Sequence, residues 1–362
     1  MRCARGPAES DESSPTEVTV PAAHGRPSIK DVAERAGVSW KTVTNVIHGR
    51  DNVRPQTRAR VQEAIDALGY RTNLFARQLQ EGRTRVLALA IPETTMPYFG
   101  ELATRIIENA RRHDHLVVIQ ETRGDPEREE EVARGTRLHF ADGIVFMPVT
   151  LDPETVRSCA RAIPTILIGE REGGSEANQV VIDNAGSARE AVEHLLQQGR
   201  RRLAFVGSTG RPHGTGFLRE QGFRAAMAAA GLEVPAEHVV GVDHYDRASG
   251  LAAVRRLLAA GTDVDALVCA VDTVALGAMH GLRLAGLRVP DDVAVLGWDD
   301  IEDGRYANPT LTSVAPDVDA VAEAAVTRLL HRIEHGGEIE GLTVGHRLVV
   351  RESTGGPPPE PR

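Results

Sequence analysis

Residues 28–47 read SIKDVAERAGVSWKTVTNVI, and the spacing within this stretch decides how the chain begins. Ser28 followed three residues later by Asp31 is a capping-box pattern: the hydroxyl accepts from a first-turn N–H and the carboxylate reaches back to the cap. Val32, Ala33 and Ala36 then share a face, and Gly37 supplies the left-handed backbone that ends a helix. Ser39 is placed to cap a second helix in which Val43, Val46 and Ile47 form an i, i+3, i+4 apolar stripe. Trp40, Lys41, Thr44, Asn45 and His48 gather on the opposite side. Pro55 suits the first turn of a third helix, with Val61, Ala64, Ile65 and Leu68 facing inward and Gly69 closing it. Two short helices joined by Gly37-Val38-Ser39, with a third packed behind them, make a helix-turn-helix.

The outer face of the second helix carries the chemistry of a base reader. Lys41 can donate to guanine acceptors, Asn45 can pair bidentately with adenine, and Trp40 can press on a thymine methyl. Thr42 and Thr44 suit phosphate oxygens. Charge agrees. Residues 26–85 hold twelve Lys and Arg against six Asp and Glu, a net +6, whereas residues 86–362 carry −13 and the first 25 carry −2. The chain's only lysines, Lys30 and Lys41, lie in the basic stretch. A basic module on an acidic body is the distribution of a nucleic-acid reader.

Working outward, residues 1–25 are rich in Ser, Pro, Glu and Ala without periodicity, a composition that predicts a disordered tail. That tail has no apolar stretch of the kind a secretory signal needs. Nor is any apolar run in the 362 residues near the ~20 needed to span a bilayer. Cys3, Cys159 and Cys269 are three and far apart, so neither a disulfide framework nor a cysteine metal site is indicated. A cytoplasmic protein is expected.

From Val86 onward short apolar runs alternate with amphipathic helical stretches. Strands are predicted at 86–92, 116–120, 143–148, 165–169, 203–208, 239–243, 266–270 and 293–299. Alternating β and α predicts parallel sheets wound on both faces, and the length suggests two such sheets, with ligands at the carboxyl ends of the strands. A break near Asp183-Asn184 marks a crossing between lobes. The fold class is thus an all-α helix-turn-helix headpiece followed by a two-lobed α/β body.

The motifs Ile29-Lys30-Asp31-Val32-Ala33, Ala36-Gly37-Val38-Ser39, Thr42-Val43, Val46-Ile47, Gly49, and Glu63-Ala64-Ile65 with Leu68-Gly69-Tyr70 closely resemble the headpiece of the lactose/galactose-repressor family. The resemblance extends through the body from Arg85 to about Ser353. It implies a dimeric transcription factor, most simply a repressor, on a pseudo-palindromic operator, with a periplasmic-binding-protein-like body that takes a small effector and needs no cofactor. The family's base-reading positions fall on Trp40, Lys41 and Asn45. Departures are His48, where Asn is usual, Arg54, where a capping Ser or Thr is usual, and Thr72, where Pro is usual.

The family's hinge helix matches residues 73–82, a pattern too short to stand alone in water. There Leu79 matches a leucine that wedges into the minor groove, with Asn73 and Ala76 beside it. The effector site implied by the resemblance uses the Pro-aromatic-Phe turn ending in Phe99, the segment with His213, Thr215 and Arg219, Tyr245 closing the pocket, and Asp299 at the lobe junction. A guanidinium such as Arg219 forks naturally onto two hydroxyls or a carboxylate. Asp272 is a family position whose own chemistry suits capping the helix that follows, and Trp298 is read as packing. Gly169 and Val271 stand where the family often has hydroxyl-binding groups. A sugar is the first candidate effector and a nucleoside or other less polar metabolite the second. The expected domains are 26–72 (headpiece), 73–84 (hinge), 85–184 with 300–315 (first lobe), 185–299 with 316–353 (second lobe), and tails at 1–25 and 354–362.

The competing reading is a metabolite-binding or enzymatic α/β protein whose N-terminal helices serve assembly. His331-Arg-Ile-Glu334-His335 fits an inverted zinc-protease motif, but no third ligand pattern follows it. Gly214-X-Gly216 lacks the third glycine of a dinucleotide turn, and the body has no lysine for a phosphate loop. No serine nucleophile elbow occurs.

Overall fold

The structure, a computed structural model, describes residues 27–47, 52–70, 82–151, 154–155, 163–169, 177–210 and 214–357. The chain divides into two compact units, residues 1–80 and 81–362.

In the first unit, α1 (Ile29–Ala36), α2 (Trp40–Ile47) and α3 (Pro55–Leu68) follow the predicted caps. Ser28 Oγ accepts from Asp31 N at 3.4 Å, and the Asp31 carboxylate accepts from Ser28 N at 2.7 Å. Gly37 adopts φ 62°, and Ser39 Oγ accepts from Thr42 N at 3.1 Å. Arg54 gives α3 no side-chain cap. Val32, Ala33, Ala36, Val43, Val46, Val61 and Ala64 form a small core, joined by Ile47, Ile65 and Leu68.

The second unit holds two six-stranded sheets. The first contains β1 (Val86–Ile91), β2 (Leu116–Glu121), β3 (Gly143–Phe146), β4 (Thr165–Ile168), β5 (Gln179–Ile182) and β11 (Leu342–Val344), all parallel, in the order β11-β5-β4-β3-β1-β2. The second contains β6 (Leu203–Ser208), β7 (Val239–Gly241), β8 (Ala266–Cys269), β9 (Ala294–Trp298), β10 (Thr312–Pro316) and β12 (His346–Val349), in the order β12-β10-β9-β8-β6-β7. Only β12 runs antiparallel. The central strands are near-continuous apolar runs such as VLALAI of β1, buried at every position because helices cover both sheet faces there, whereas the edge strand β2 is largely open.

Around the first sheet lie α4 (Pro97–Arg112), α5 (Pro126–Ala133) and α11 (Val318–His335); α4 and α11 share one face and α5 takes the other. Around the second lie α6 (Asn184–Gln197) and α7 (Thr215–Ala229) on one face, with α8 (Arg247–Ala259) and α9 (Asp272–Leu284) on the other, and the single turn α10 (Glu302–Arg305) follows β9. Each sheet is doubly wound, and each reverses its winding at one place, between β1 and β3 and between β6 and β8. Those are the switch points where crevices open at the carboxyl ends of parallel strands.

The chain crosses between lobes three times: after β5, after β10 and after β11. The second and third crossings are tied together, Asp317 N donating to Gly345 O at 3.1 Å. This corrects the expected boundaries. Residues 300–315 belong with the second lobe, because β10 pairs with β9, and α11 with β11 belongs with the first lobe, because α11 packs into its core and β11 pairs with β5. The expectations for the tail 1–25, for the hinge positions Asn73, Ala76 and Leu79, for His48 and for His213 lie outside the described residues.

Candidate functional site

The candidate nucleic-acid face is built by α2. Its stripe Val43 and Val46 is buried, which turns Trp40 and Lys41 outward; Trp40 is 53% exposed, and Lys41 is exposed beside it. Thr42, Thr44 and Asn45 are half-buried at the flank. Thr44 donates its hydroxyl to Trp40 O at 3.0 Å, and Thr42 is tied to Ser39. Thr42 and Asn45 also line a concavity of about 440 Å³ together with Asn52 and Arg54, which precede α3, and Thr57 and Arg60 in its first two turns. Those four were missed from the sequence, where Arg54 registered only as a failed cap. The available signal was the 54, 57, 60 spacing, which puts all three on one side of a helix N-terminus, where free N–H groups and positive charge favour anions.

In the body, four strand ends converge. After β1, Thr94 N and Oγ1 donate to the Glu121 carboxylate at 3.1 and 2.6 Å; the Thr94 hydroxyl, with Arg123, holds that carboxyl down at about 2. The turn so fixed leads into Tyr98 and Phe99 at the start of α4, their rings edge-on at 5.5 Å. Phe99 packs partly against the first core. Tyr98 packs there too, and burial first, and then the Asp299 charge of the other lobe, hold its phenol above the ordinary range, with Arg219 opposing.

That opposing charge, Arg219, belongs to the second lobe. On α7, one turn beyond Thr215, it is 5% exposed; Nε donates to Asn184 Oδ1 at 2.9 Å and a terminal nitrogen donates to Ala270 O at 2.6 Å. Its guanidinium carbon stands 4.8 Å from the ring centre of Trp298, a buried residue that packs in the second-lobe core as read. Asp299 follows Trp298 at the end of β9 with φ 102°, a conformation that L-residues hold only when their surroundings impose it. Those surroundings are visible: Asp299 N donates to Val314 O at 2.9 Å, and Asp300 N to Ser313 Oγ at 3.0 Å. Burial pushes the Asp299 carboxyl up to about 6, against the pull of Arg219. Tyr245 donates its hydroxyl to Gly207 O at 3.2 Å and lies against Gly216, where any Cβ would overlap that hydroxyl.

Asp272 does not cap α9. The helix begins at Asp272 itself, and the fully buried carboxylate accepts instead from Ser313 Oγ at 2.7 Å and Ile301 N at 2.9 Å. Burial, reinforced by Asp299, raises its pKa well above the usual carboxylate range. Gly297 is required beside it, since a Cβ there would run into the same carboxylate. Thus Thr215, Arg219, Tyr245 and Asp299 lie near the switch point of the second sheet, and the charges of Arg219 and Asp299 act on Tyr98, the middle residue of the Pro-aromatic-Phe turn, which was not selected as a site residue. Among the described residues no group of three or more His, Cys, Asp or Glu is placed to hold a metal, and no helix is long and apolar enough to cross a membrane.

A helix-turn-helix with its polar face outward, followed by two doubly wound lobes with buried polar groups such as Arg219 and Asp299 at their strand ends, defines a DNA-binding transcription factor built on a periplasmic-binding-protein-like body. The family model for bacterial regulatory proteins of the lacI family matches residues 28–73, and that for the periplasmic binding protein-like domain matches residues 192–354. Catabolite control protein A of Priestia megaterium is 31% identical over 332 residues, 90% of this chain and 99% of its own. Among solved structures, a complex of the transcriptional regulator CelR with cellobiose is 31% identical, covering 91% of this chain and 100% of that one, with a TM-score of 0.67. The lac repressor dimer bound to operator and an anti-inducer is 25% identical over 91% of this chain and 99% of that one, with a TM-score of 0.81. The chain belongs to the LacI family of bacterial transcriptional regulators, and it is a regulator rather than an enzyme.

Proposed function

We propose that the protein is a cytoplasmic repressor that binds a pseudo-palindromic operator as a homodimer and is controlled by a small effector, a sugar in the first instance, held in the crevice between its lobes. The observation that carries this reading is Trp40, more than half exposed on the same helix whose valines are buried, at the head of a basic module. Trp40, Lys41 and Asn45 read base edges, while Thr42 and Thr44, with Asn52, Arg54, Thr57 and Arg60, hold phosphates. Asn73, Ala76 and Leu79 form the hinge, with Leu79 as the minor-groove wedge. Phe99, His213, Thr215, Arg219, Tyr245 and Asp299 bind the effector. Arg219 supplies paired donors, Asp299 the acceptor, and the aromatic residues cover the apolar faces of a sugar ring. Effector binding changes the relation of the lobes, and the linkage between effector and operator is reciprocal. The cellobiose held by the relative named above supports a sugar, while Val271 and Gly169 leave fewer polar groups to meet one.

Selection of bound duplexes from a random pool, followed by release tests with sugars and nucleosides, examines the whole reading. A two-fold-symmetric consensus released by a sugar is expected. Absence of any enriched duplex contradicts it. Asn45→Ala is expected to change the bases selected at one position of each half-site, and an unchanged consensus removes Asn45 as a reader.

A further inference from the structure

The segment that follows residues 71–81 is fastened to the first lobe at several points before β1 begins. The Asp142 carboxylate accepts three hydrogen bonds from it: Thr84 N at 2.8 Å, Thr84 Oγ1 at 2.9 Å and Arg85 N at 2.7 Å. The Asp142 main chain adds a fourth, its N–H donating to Val86 O at 2.8 Å. Thr84 is buried, and its hydroxyl also accepts from Val86 N at 3.3 Å. Arg85 holds φ 57°, a left-handed conformation uncommon for an L-residue, and in it the Arg85 N–H reaches Asp142. Arg83 donates to Ile333 O at 3.3 Å at the end of α11, and Arg85 O accepts from Leu116 N at 2.9 Å at the start of β2. All of these contacts lie at the amino ends of β1, β2 and β3, the edge of the sheet opposite the crevice.

We propose that Asp142 is a positioning residue for operator binding: it fixes the chain leading from the DNA-binding unit onto the first lobe, so that β1 joins this anchor directly to the effector turn. β1 is six residues long, about 20 Å at strand rise, and buried throughout. Thr84 stands at one end of it, and the turn carrying Tyr98 and Phe99 follows at the other. A displacement of the crevice wall therefore reaches the chain's exit through one rigid strand instead of being absorbed by a slack connection. The part played by the effector rests on the function proposed above; the part played by Asp142 in operator recognition rests only on DNA binding.

The test uses the full-length chain. Asp142→Ala removes the acceptor, Thr84→Val removes one donor to it, together with the hydroxyl that accepts from Val86 N, with little change of shape, and Thr84→Ser retains both. Hydrogen exchange reports the Thr84 and Arg85 amides, and titrations at one salt concentration compare the selected duplex with a scrambled duplex of equal length. Asp142→Ala is expected to deprotect both amides and lower affinity for the selected duplex about tenfold, while affinity for the scrambled duplex stays within about twofold. Thr84→Val is expected to show a smaller loss that Thr84→Ser restores. Equal losses on both duplexes, or unchanged selectivity with deprotected amides, overturn the proposal. Where Asp142→Ala fails to fold, the Thr84 pair decides, and equal selectivity of Thr84→Val and Thr84→Ser overturns it. A wild-type chain that prefers no duplex overturns the regulator reading and this role together, and is told apart because it fails before any substitution is made.

Discussion

Asp299 is asked to be both buried and ionised, and its pKa of about 6, against an ordinary 3.8, records the conflict. As pH falls, the folded chain takes up a proton at Asp299 before the unfolded chain does. Ionised Asp299 therefore opposes folding: its contribution is absent below about pH 4, grows between about pH 4 and 6, and is complete above that. Two pKa units correspond to roughly 3 kcal/mol. Asp299→Asn is neutral at every pH, so it is expected to be more stable than the wild type at pH 7.5, by on the order of 2 kcal/mol, with the advantage vanishing near pH 4. Denaturant unfolding at the two pH values measures this, and a pH-independent difference contradicts it. The effector titration should run in the other sense. Sugar hydroxyls donate to the ionised form, so wild-type affinity should rise about tenfold from pH 5 to a plateau above pH 7, and the Asn variant should be flat as well as weak. Calorimetry with whichever sugar releases the operator checks it.

At the scale of elements, the caps separate what could be read from what could not. The Ser28–Asp31 box and the Gly37 and Gly69 stops were legible because a cap is a local contract among four residues. So was the failed cap at Arg54, which permits a prediction: Arg54→Ser supplies the missing acceptor and should raise the stability of the helix-turn-helix unit by about 1 kcal/mol, while Ser28→Ala should lower it by about as much. Thermal melts of the full chain, followed by a probe on Trp40, would show it; equal melting of Arg54→Ser and wild type contradicts the cap argument. Because Arg54 also lines the concavity beside Asn45, the stabilised variant should bind duplexes more weakly.

The body was read less completely. Strands buried on both faces announced themselves as apolar runs, yet β5, β10, β11 and β12 did not. They are three to five residues long, and their partners lie elsewhere: β11 pairs with β5 across some 160 residues, and β10 with β12 across more than 30. The lobe boundaries were misplaced for the same reason, since a crossing such as Asp317 beside Gly345 is a tertiary hydrogen bond with no signature in composition. At the strand ends of the second lobe, Arg219, Thr215 and Asp299 were singled out through family positions, and their part in binding an effector belongs to the function proposed above. The influence of Asp299 on Tyr98 depends on how two lobes meet, and the use of Asp272 as a bridge instead of a cap depends on Ile301 and Ser313, some 30 and 40 residues further along the second lobe, so neither could be read from neighbouring residues.

For the whole molecule, the surface argues for a second copy. β2 is an edge strand of the first sheet, and it leaves Leu116 65% exposed and Val118 and Ile119 each 40% exposed, with Ile107 on α4 at 41%. An apolar edge of this kind invites association unless something covers it, and the two-fold operator proposed here calls for a self-complementary face of the same chain. Replacing both Leu116 and Val118, which share one face of β2, by Glu adds charge to side chains already near water, so the body's own melting temperature should change little. The association should fail, because each charge then meets its symmetry mate across a dry surface. Sedimentation is expected to find a dimer for the wild type and a monomer for the variant. Affinity for the symmetric duplex should fall about a hundredfold or more, since two half-sites no longer bind as one, while affinity for a single half-site is retained. A variant that still sediments as a dimer at micromolar concentration moves the interface elsewhere, and the exposed Tyr306 and Leu284 of the second lobe become the next surface to charge.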